Sequence, residues 1–347
     1  MRRRRETVIT KIKDVAEVAG VSAATVSRVL NNVSTVDPAM AVRVREAVDK
    51  LGYRSNGVAR SLRRRRTDVW ALIISDISNP FFTSVARGVE DVAQRAGFSV
   101  VLCNSDEDPD KEAKYFDVAE RERVAGVILS PNLVGSDISL LISAGIPVVA
   151  VDRSLRHPVD CVRGDSVEGA RIATRHLFEE GWTRPACVTG PETAETAEQR
   201  LTGYRQAFVD RGLRPAKSLV RHADFRAGMA RESVAALLDS RNPPDSFLIA
   251  NSTMALGALE EFAHRGLLPG RDIGLVAFDD APWARFVNPP MSTVRQRAYE
   301  IGALAGQLLL ERIQGASGEL EPEPKSKLLA TELVVRASSR RASTSTA

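Results

Sequence analysis

Cysteine is scarce in this sequence: three residues, Cys103, Cys161 and Cys187, in a chain of 347. They stand far apart, each in or beside an apolar run, and follow no metal-ligand spacing. A disulfide framework and a zinc module are therefore excluded, and buried thiols in a reducing compartment are expected. A long apolar run is missing too. Nothing approaches the roughly 18 consecutive apolar residues that a membrane-spanning helix needs. The start, MRRRRETVITKIKDV, is positively charged with no apolar stretch behind it. Neither a secretory signal nor a twin-arginine export signal is expected, which points to a cytoplasmic protein. The signatures of common enzyme sites are absent as well: no GxGxxG after a strand, no GxxxxGK[ST], no HExxH, no CxxC. His157, His176, His222 and His264 are scattered, mostly on expected helix or loop surfaces, and no spacing pairs Asp152 with Asp165 as acid and base. No catalytic role, cofactor or metal is expected from such a set.

What the chain does have is an uneven charge. Residues 1–66 hold 16 Lys and Arg against 6 Asp and Glu, a net of +10, which leaves −6 for residues 67–347 out of a whole-chain +4. A basic head on an acidic body is the footprint of a module that binds a polyanion.

The head reads as three short helices over residues 12–54. Ile12, Val15, Ala16 and Ala19 recur at helical spacing, and Gly20 permits a sharp turn. Ser22 stands where an N-cap belongs, and Val26, Val29 and Leu30 give the second helix its apolar stripe. Asp37-Pro38 opens a third helix whose buried face is expected at Val42, Val44, Ala47, Val48 and Leu51. Two helices joined by a short glycine turn and closed by a third make a helix-turn-helix. The free side of the second helix offers Ser22, Ala23, Ala24, Thr25, Ser27 and Arg28. Small residues let a helix approach the groove floor, hydroxyls bond phosphates, and arginine forks onto a guanine edge. The following SNGVARSLRRRR (55–66) is one or two turns of basic helix, too short to be stable alone.

From Val69 the pattern changes. Short β-branched runs (VWALIIS, SVVLCN, GVILS, PVVAVD, ACVTG, SFLIAN, IGLVAFD) alternate with amphipathic stretches of helical length. This alternation implies parallel sheets covered by helices, and seven or more strands imply two doubly wound subdomains. The late run LLATELVV reads as one more strand, and ASSRRASTSTA as a disordered tail. In doubly wound sheets a ligand sits beyond the carboxyl ends of the strands. Those ends carry Asp76, Asp152-Arg153, Asn251 and Asp279, with Arg200 on a helix after ACVTG. Carboxylates and guanidiniums each grip two hydroxyls at once, which suits a polyhydroxylated ligand. Phe81, Phe82, Phe225 and Trp283 are available for the apolar face of a sugar.

The run IKDVAEVAGVSAATVSRVLNN, followed by LGYRSNGVARSL, resembles the DNA-binding head and hinge of the LacI/GalR family of bacterial transcription regulators. The similarity continues through SNPFF, GVILSP, IPVVAVDR, QRLTGY, MALGALE, VAFDD and PPMSTVRQ. The resemblance implies an all-α helix-turn-helix head on an α/β periplasmic-binding-protein-like core of two doubly wound subdomains. It implies a homodimer on palindromic operator DNA and a small effector, such as a sugar, polyol or nucleoside. It places Ala23, Ala24 and Arg28 at base-reading positions, and Ser22, Thr25, Ser27 and Asn31 near phosphates or bases. In the hinge, Asn56 follows Ser55 where the family commonly has proline, Leu62 matches the leucine wedged into the minor groove, and Arg63 follows it. Phe81, Phe82, Arg153, Asp165, Arg200, Phe225, Asn251 and Asp279 match effector-pocket positions. Ser252 departs from a commonly acidic residue, which hints at a different effector.

The expected layout is a head at 1–54 with a basic arm at 1–9, a hinge at 55–67, a core at 68–336 and a tail at 337–347. Within the core, one subdomain is expected at about 68–164 plus 292–325 and the other at about 165–291 plus 326–336. The function implied is a repressor whose operator affinity an effector controls. A solute-binding protein for sugar uptake would explain the core alone, though not residues 12–63.

Overall fold

The computed structural model describes residues 11–30, 36–53, 66–132, 136–315 and 323–342. The chain divides into two compact units, residues 1–66 and 67–347.

The first unit contains α1 (Ile12–Ala19), α2 (Ala23–Leu30) and α3 (Pro38–Leu51). Gly20 ends α1 at φ +64°, a left-handed turn that returns Val21 N–H to the Ala16 carbonyl. Ser22 Oγ accepts from Thr25 N at 3.1 Å and caps α2. Asp37 caps α3 by accepting from Ala39 N and Met40 N at 2.9 and 3.0 Å. Val15, Ala16, Ala19, Val26, Val29, Val44 and Ala47 form the core. Val42, expected inside, is exposed. Two residues correspond to about 200° of helical rotation, so burying Val44 turns Val42 outward.

The second unit holds two six-stranded sheets. Its elements in chain order are β1 (Val69–Ile74), α4 (Pro80–Arg95), β2 (Ser99–Asn104), α5 (Pro109–Arg121), β3 (Gly126–Leu129), α6 (Ser139–Ser143), β4 (Val148–Val151), β5 (Asp160–Gly164), α7 (Ser166–Glu179), β6 (Pro185–Thr189), α8 (Glu195–Val209), β7 (Val220–His222), α9 (Ala227–Leu238), β8 (Ser246–Ile249), α10 (Ser252–His264), β9 (Gly274–Phe278), β10 (Ser292–Arg295), α11 (Ala298–Gly315), β11 (Ser326–Leu329) and β12 (Glu332–Val334). One sheet runs β11-β5-β4-β3-β1-β2 and the other β12-β10-β9-β8-β6-β7. Every pairing is parallel except β10 with β12. This is the pair of doubly wound lobes that the β–α alternation implied. Helix α11 returns to the first lobe and crosses α4 closely. Gly88 and Gly302 make that crossing possible, since a Cβ on either would collide with a facing backbone carbonyl.

The expected lobe boundaries need correcting. Residues 292–295 pair with β9 and so belong to the second lobe, while residues 326–329 pair with β5 and belong to the first. The run LLATELVV is therefore two strands, one in each sheet, and the chain passes between lobes at 330–331. Strand pairing decides this, and no local pattern marks it. Strands β5, β7 and β10 were missed because they are short and interrupted by polar residues.

The tail also differs from expectation. Residues 337–342 are ordered against the second lobe. Ser338 and Ser339 are fully buried. Ser338 Oγ accepts from Ser292 N at 2.8 Å and donates to the Leu275 carbonyl at 2.7 Å. Trp182 Nε1 donates to the Ser339 carbonyl at 2.7 Å, and His176 Nε2 shares a 2.7 Å hydrogen bond with Ser339 Oγ. A polar composition suggested disorder, yet small hydroxyls with every bond satisfied are cheap to bury. His176, expected at the surface, is buried by this segment. Residues 343–347 lie outside the described residues. The three cysteines are free and buried. Burial pushes the Cys161 and Cys187 thiols up to about 11 and about 12, so neither is a reactive thiolate at neutral pH.

Candidate functional site

The outward face of α2 is the candidate reading surface of the head. Ser22, Ala24 and Arg28 are exposed, with Ala24 and Arg28 one turn apart on the same face. Ala23, Thr25 and Ser27 are half-buried. Ser22 and Thr25 hydroxyls lie 2.9 Å apart and share a hydrogen bond, so the cap itself fixes the first turn that would meet DNA. Asn31, Asn56, Leu62 and Arg63 lie outside the described residues.

In the second unit a cleft opens between the lobes at the carboxyl ends of the strands. It encloses about 440 Å³, including the part open to solvent. Seven of the eight expected pocket residues line it: Phe81, Phe82, Arg153, Arg200, Phe225, Asn251 and Asp279. Asp165 does not. Its carboxylate accepts from Glu168 N at 2.9 Å and caps α7, the ordinary use of an aspartate just before a helix. Trp283 packs against the second-lobe core instead of lining the cleft. Sequence reasoning missed Asn79, Glu107, Thr196, Asp224, Arg226 and Gln296 as lining residues, while Asp76 and Asp152, noted as strand ends, do line it. Gln296 escaped because β10 was not foreseen. For Glu107 no sequence signal exists, since its partner Arg153 is 46 residues away.

The backbone around the cleft is unusual. Six non-glycine residues among those described have left-handed φ, and four of them line the pocket: Glu107 (+59°), Asp152 (+66°), Phe225 (+65°) and Asp279 (+69°). Each follows a strand end. Such residues cost of order 1 kcal/mol or more each and cluster where side-chain aim matters more than comfort.

The polar groups are buried and paired. Asn251 caps α10 through Met254 N at 2.7 Å and donates Nδ2 to the Phe225 carbonyl at 3.1 Å. Arg200 donates Nη1 to the Ala250 carbonyl at 2.5 Å and lies 4.4 Å over the Phe278 ring. Its Nε is buried without a partner. Asp279 accepts from Gln296 Nε2 at 2.9 Å, and the Asn79 side chain reaches it from the other lobe. Burial raises the Asp279 carboxyl against the opposing pull of Arg200. Burial likewise pushes Asp152 up to about 6, despite Arg153 and Arg200. Burial lowers the Arg200 guanidinium, with Asp279 and Asp152 opposing the shift. The apolar wall is Phe81 and Phe82, 5.1 Å apart edge to face, with Phe225 opposite under Arg153. Both Phe81 and Phe82 also belong to the first-lobe core, so they are structural and exposed to ligand at once.

Two ties join the lobes beside the cleft. Arg226 meets Asp106 at 2.9 Å. Glu195 accepts from Ser154 N and Oγ at 2.5 and 2.8 Å, and from Arg163 at 2.5 Å. A hinged, two-lobed small-molecule receptor carrying a helix-turn-helix head is the class of protein these features define.

Comparison with known proteins agrees. Residues 11–56 match the family described as bacterial regulatory proteins, lacI family, and residues 174–339 match the periplasmic binding protein-like domain. The ribose operon repressor of Halalkalibacterium halodurans is 36% identical over 306 residues, 88% of this chain and 91% of that protein. The HTH-type transcriptional regulator DegA of Bacillus subtilis is 34% identical over 334 residues, 94% of this chain and 97% of that protein. Among solved structures, the Lac repressor dimer bound to operator and the anti-inducer ONPF aligns with a TM-score of 0.83 at 27% identity, covering 95% of this chain and 99% of that one. The chain belongs to the LacI family of bacterial regulatory proteins. It is a DNA-binding transcriptional regulator of the repressor type and not an enzyme. The family match favours this reading over a solute carrier for uptake.

Proposed function

We propose that this regulator binds a palindromic operator as a homodimer and that a small uncharged sugar in the cleft, of the pentose class, sets its operator affinity. The observation that carries the ligand reading is the cleft itself: buried Asp152, Arg153, Arg200, Asn251 and Asp279 facing Phe81, Phe82 and Phe225. Carboxylate and guanidinium edges grip vicinal hydroxyls, and the rings take the apolar C–H face. The lining holds five carboxylates, Asp76, Glu107, Asp152, Asp224 and Asp279, against three guanidiniums, Arg153, Arg200 and Arg226. That balance disfavours a phosphorylated ligand. Similarity to a ribose operon repressor supports a pentose among neutral sugars.

On DNA, two α2 helices about one helical turn apart would read two half-sites, with Arg28 on a base edge and Ser22 and Ser27 toward phosphates. Ligand closing the two lobes would favour one arrangement of the dimer and so change operator affinity. The coupling is reciprocal, so operator must change sugar affinity by the same factor. A mobility-shift titration of the full chain on a palindromic operator, with and without D-ribose and a panel of other neutral sugars, tests the reading. Operator affinity that no sugar alters would refute it.

A further inference from the structure

A carboxylate in the wall of a sugar pocket can serve the ligand or serve the protein. Glu107 serves the protein. Its two oxygens receive Arg153 Nη2 and Nη1 at 2.8 and 2.9 Å, fork against fork. Arg153 Nη1 also donates to the carbonyls of Pro131 and Asn132, each at 3.0 Å. Asn132 is fixed in turn, by Nδ2 to the Glu107 carbonyl at 2.5 Å and by its N–H to buried Glu112 at 3.0 Å. The Arg153 side chain is 3% exposed and lies 5.4 Å over Phe225 of the other lobe. Its Nε, 3.6 Å from Asp152, is buried with no hydrogen-bond partner.

This arrangement closes the Nη1/Nη2 edge of Arg153 and leaves the Nε/Nη2 edge, with the Asp152 carboxylate 3.6 Å from Nε. A phosphate must offset the loss of its hydration with uncompensated positive charge. Glu107 neutralises Arg153 on one edge and Asp152 flanks the other, so a phosphate at Arg153 would meet two carboxylates. A neutral polyol needs only isolated donors and acceptors, which Arg153 Nε, Arg200 Nε and the two buried aspartates provide.

Resting on the sugar reading above, we infer that Glu107 is a specificity-determining residue, which occupies one edge of Arg153, neutralises its charge and so makes the cleft take neutral sugars and reject phosphorylated ones. Asn132 Nδ2 bonds the Glu107 backbone carbonyl, a contact that side-chain variants at Glu107 retain.

The test is calorimetric titration of the full chain with D-ribose and with D-ribose 5-phosphate, for wild type, Glu107→Gln and Glu107→Asp. Wild type should prefer D-ribose by at least about 100-fold, a like-charge rejection on the scale of buried ionic contacts. In Glu107→Gln that preference should shrink at least about tenfold, because the Arg153 fork is freed and the wall charge is gone. Glu107→Asp, which keeps the charge, should hold the preference within about threefold while binding D-ribose more weakly. An unchanged preference in Glu107→Gln, or the same change in both variants, overturns the inference. Equal binding of the two ligands by wild type overturns it as well. Should Glu107→Gln fail to fold, wild type alone decides: D-ribose affinity unaffected by inorganic phosphate supports the inference, and competition refutes it. Wild type that binds no neutral sugar removes the sugar reading and this inference together. D-ribose binding with an unaltered preference removes this inference alone.

Discussion

Asp152 is the residue whose replacement separates stability from function most cleanly. It follows β4 at φ +66°, is buried, and has its carboxyl raised from 3.8 to about 6 by that burial. A raised folded-state pKa on an acid means that ionisation is unfavourable in the native protein. Below pH 3.8 the group is protonated in both states and costs nothing. Between pH 3.8 and about 6 the unfolded chain ionises first, and the penalty grows with pH. Above about 6 it is constant at about 3 kcal/mol, about two pKa units at 1.36 kcal/mol each. Asparagine has the same shape, no charge, and a tolerance for left-handed φ. Asp152→Asn is therefore expected to stabilise the folded chain by up to about 3 kcal/mol at pH 7.5 and by almost nothing at pH 4. A rise in Tm of about 5 °C at the higher pH corresponds to this for a unit of its size. The same variant loses a charged acceptor for a sugar hydroxyl and should bind D-ribose about 10- to 100-fold more weakly. Thermal unfolding at the two pH values, with calorimetry on the same samples, reads both effects. If the variant is less stable by the same amount at both pH values, the carboxylate holds the lobe together and the burial argument is wrong.

Further outcomes follow from the same geometry. Asp279→Ala should lower sugar affinity about 100-fold, because a buried acceptor beside Arg200 and Gln296 is lost, yet leave operator binding in the absence of sugar intact in a mobility shift. Loss of operator binding would show that Asp279 is structural. Arg28→Ala should cost about 1–3 kcal/mol of discrimination between operator and scrambled duplex, with a smaller effect on non-specific binding. Equal losses would mark Arg28 as a phosphate contact. Asp165→Ala should remove the cap of α7 and lower stability by about 1 kcal/mol, while D-ribose affinity stays within about twofold. A large loss of affinity would return Asp165 to the pocket.

Local signals were enough for much of this protein. The Gly20 turn, the Ser22 and Asp37 caps and the apolar stripes gave three head helices whose positions the structure repeats. Alternating β-branched and amphipathic runs gave the two doubly wound lobes. Strand-end polar residues gave most of the cleft, since strand ends in such sheets converge on one crevice. Most of the errors share a cause. The 292–295 and 326–329 strands and residues 337–342 were judged from their own neighbourhoods, yet each was settled by a partner distant in sequence. Asp165 and Val42 differ: the first was expected in the pocket from the family resemblance and caps the next helix through Glu168 N, and the second is turned outward by the rotation that buries Val44.

The amino-acid order alone determined the kinds of elements, the basic head and the supply of carboxylates, guanidiniums and rings near the strand ends. Periodicity, capping and charge are properties of short windows, so they survive without coordinates. Tertiary structure alone decided which acid faces which base. Glu107 closes the fork of Arg153, Arg200 keeps a free donor, and Asp152 is held against solvent loss. Those pairings are set by strand order, by crossovers between lobes and by left-handed turns, and each depends on residues that meet only after the whole core has packed.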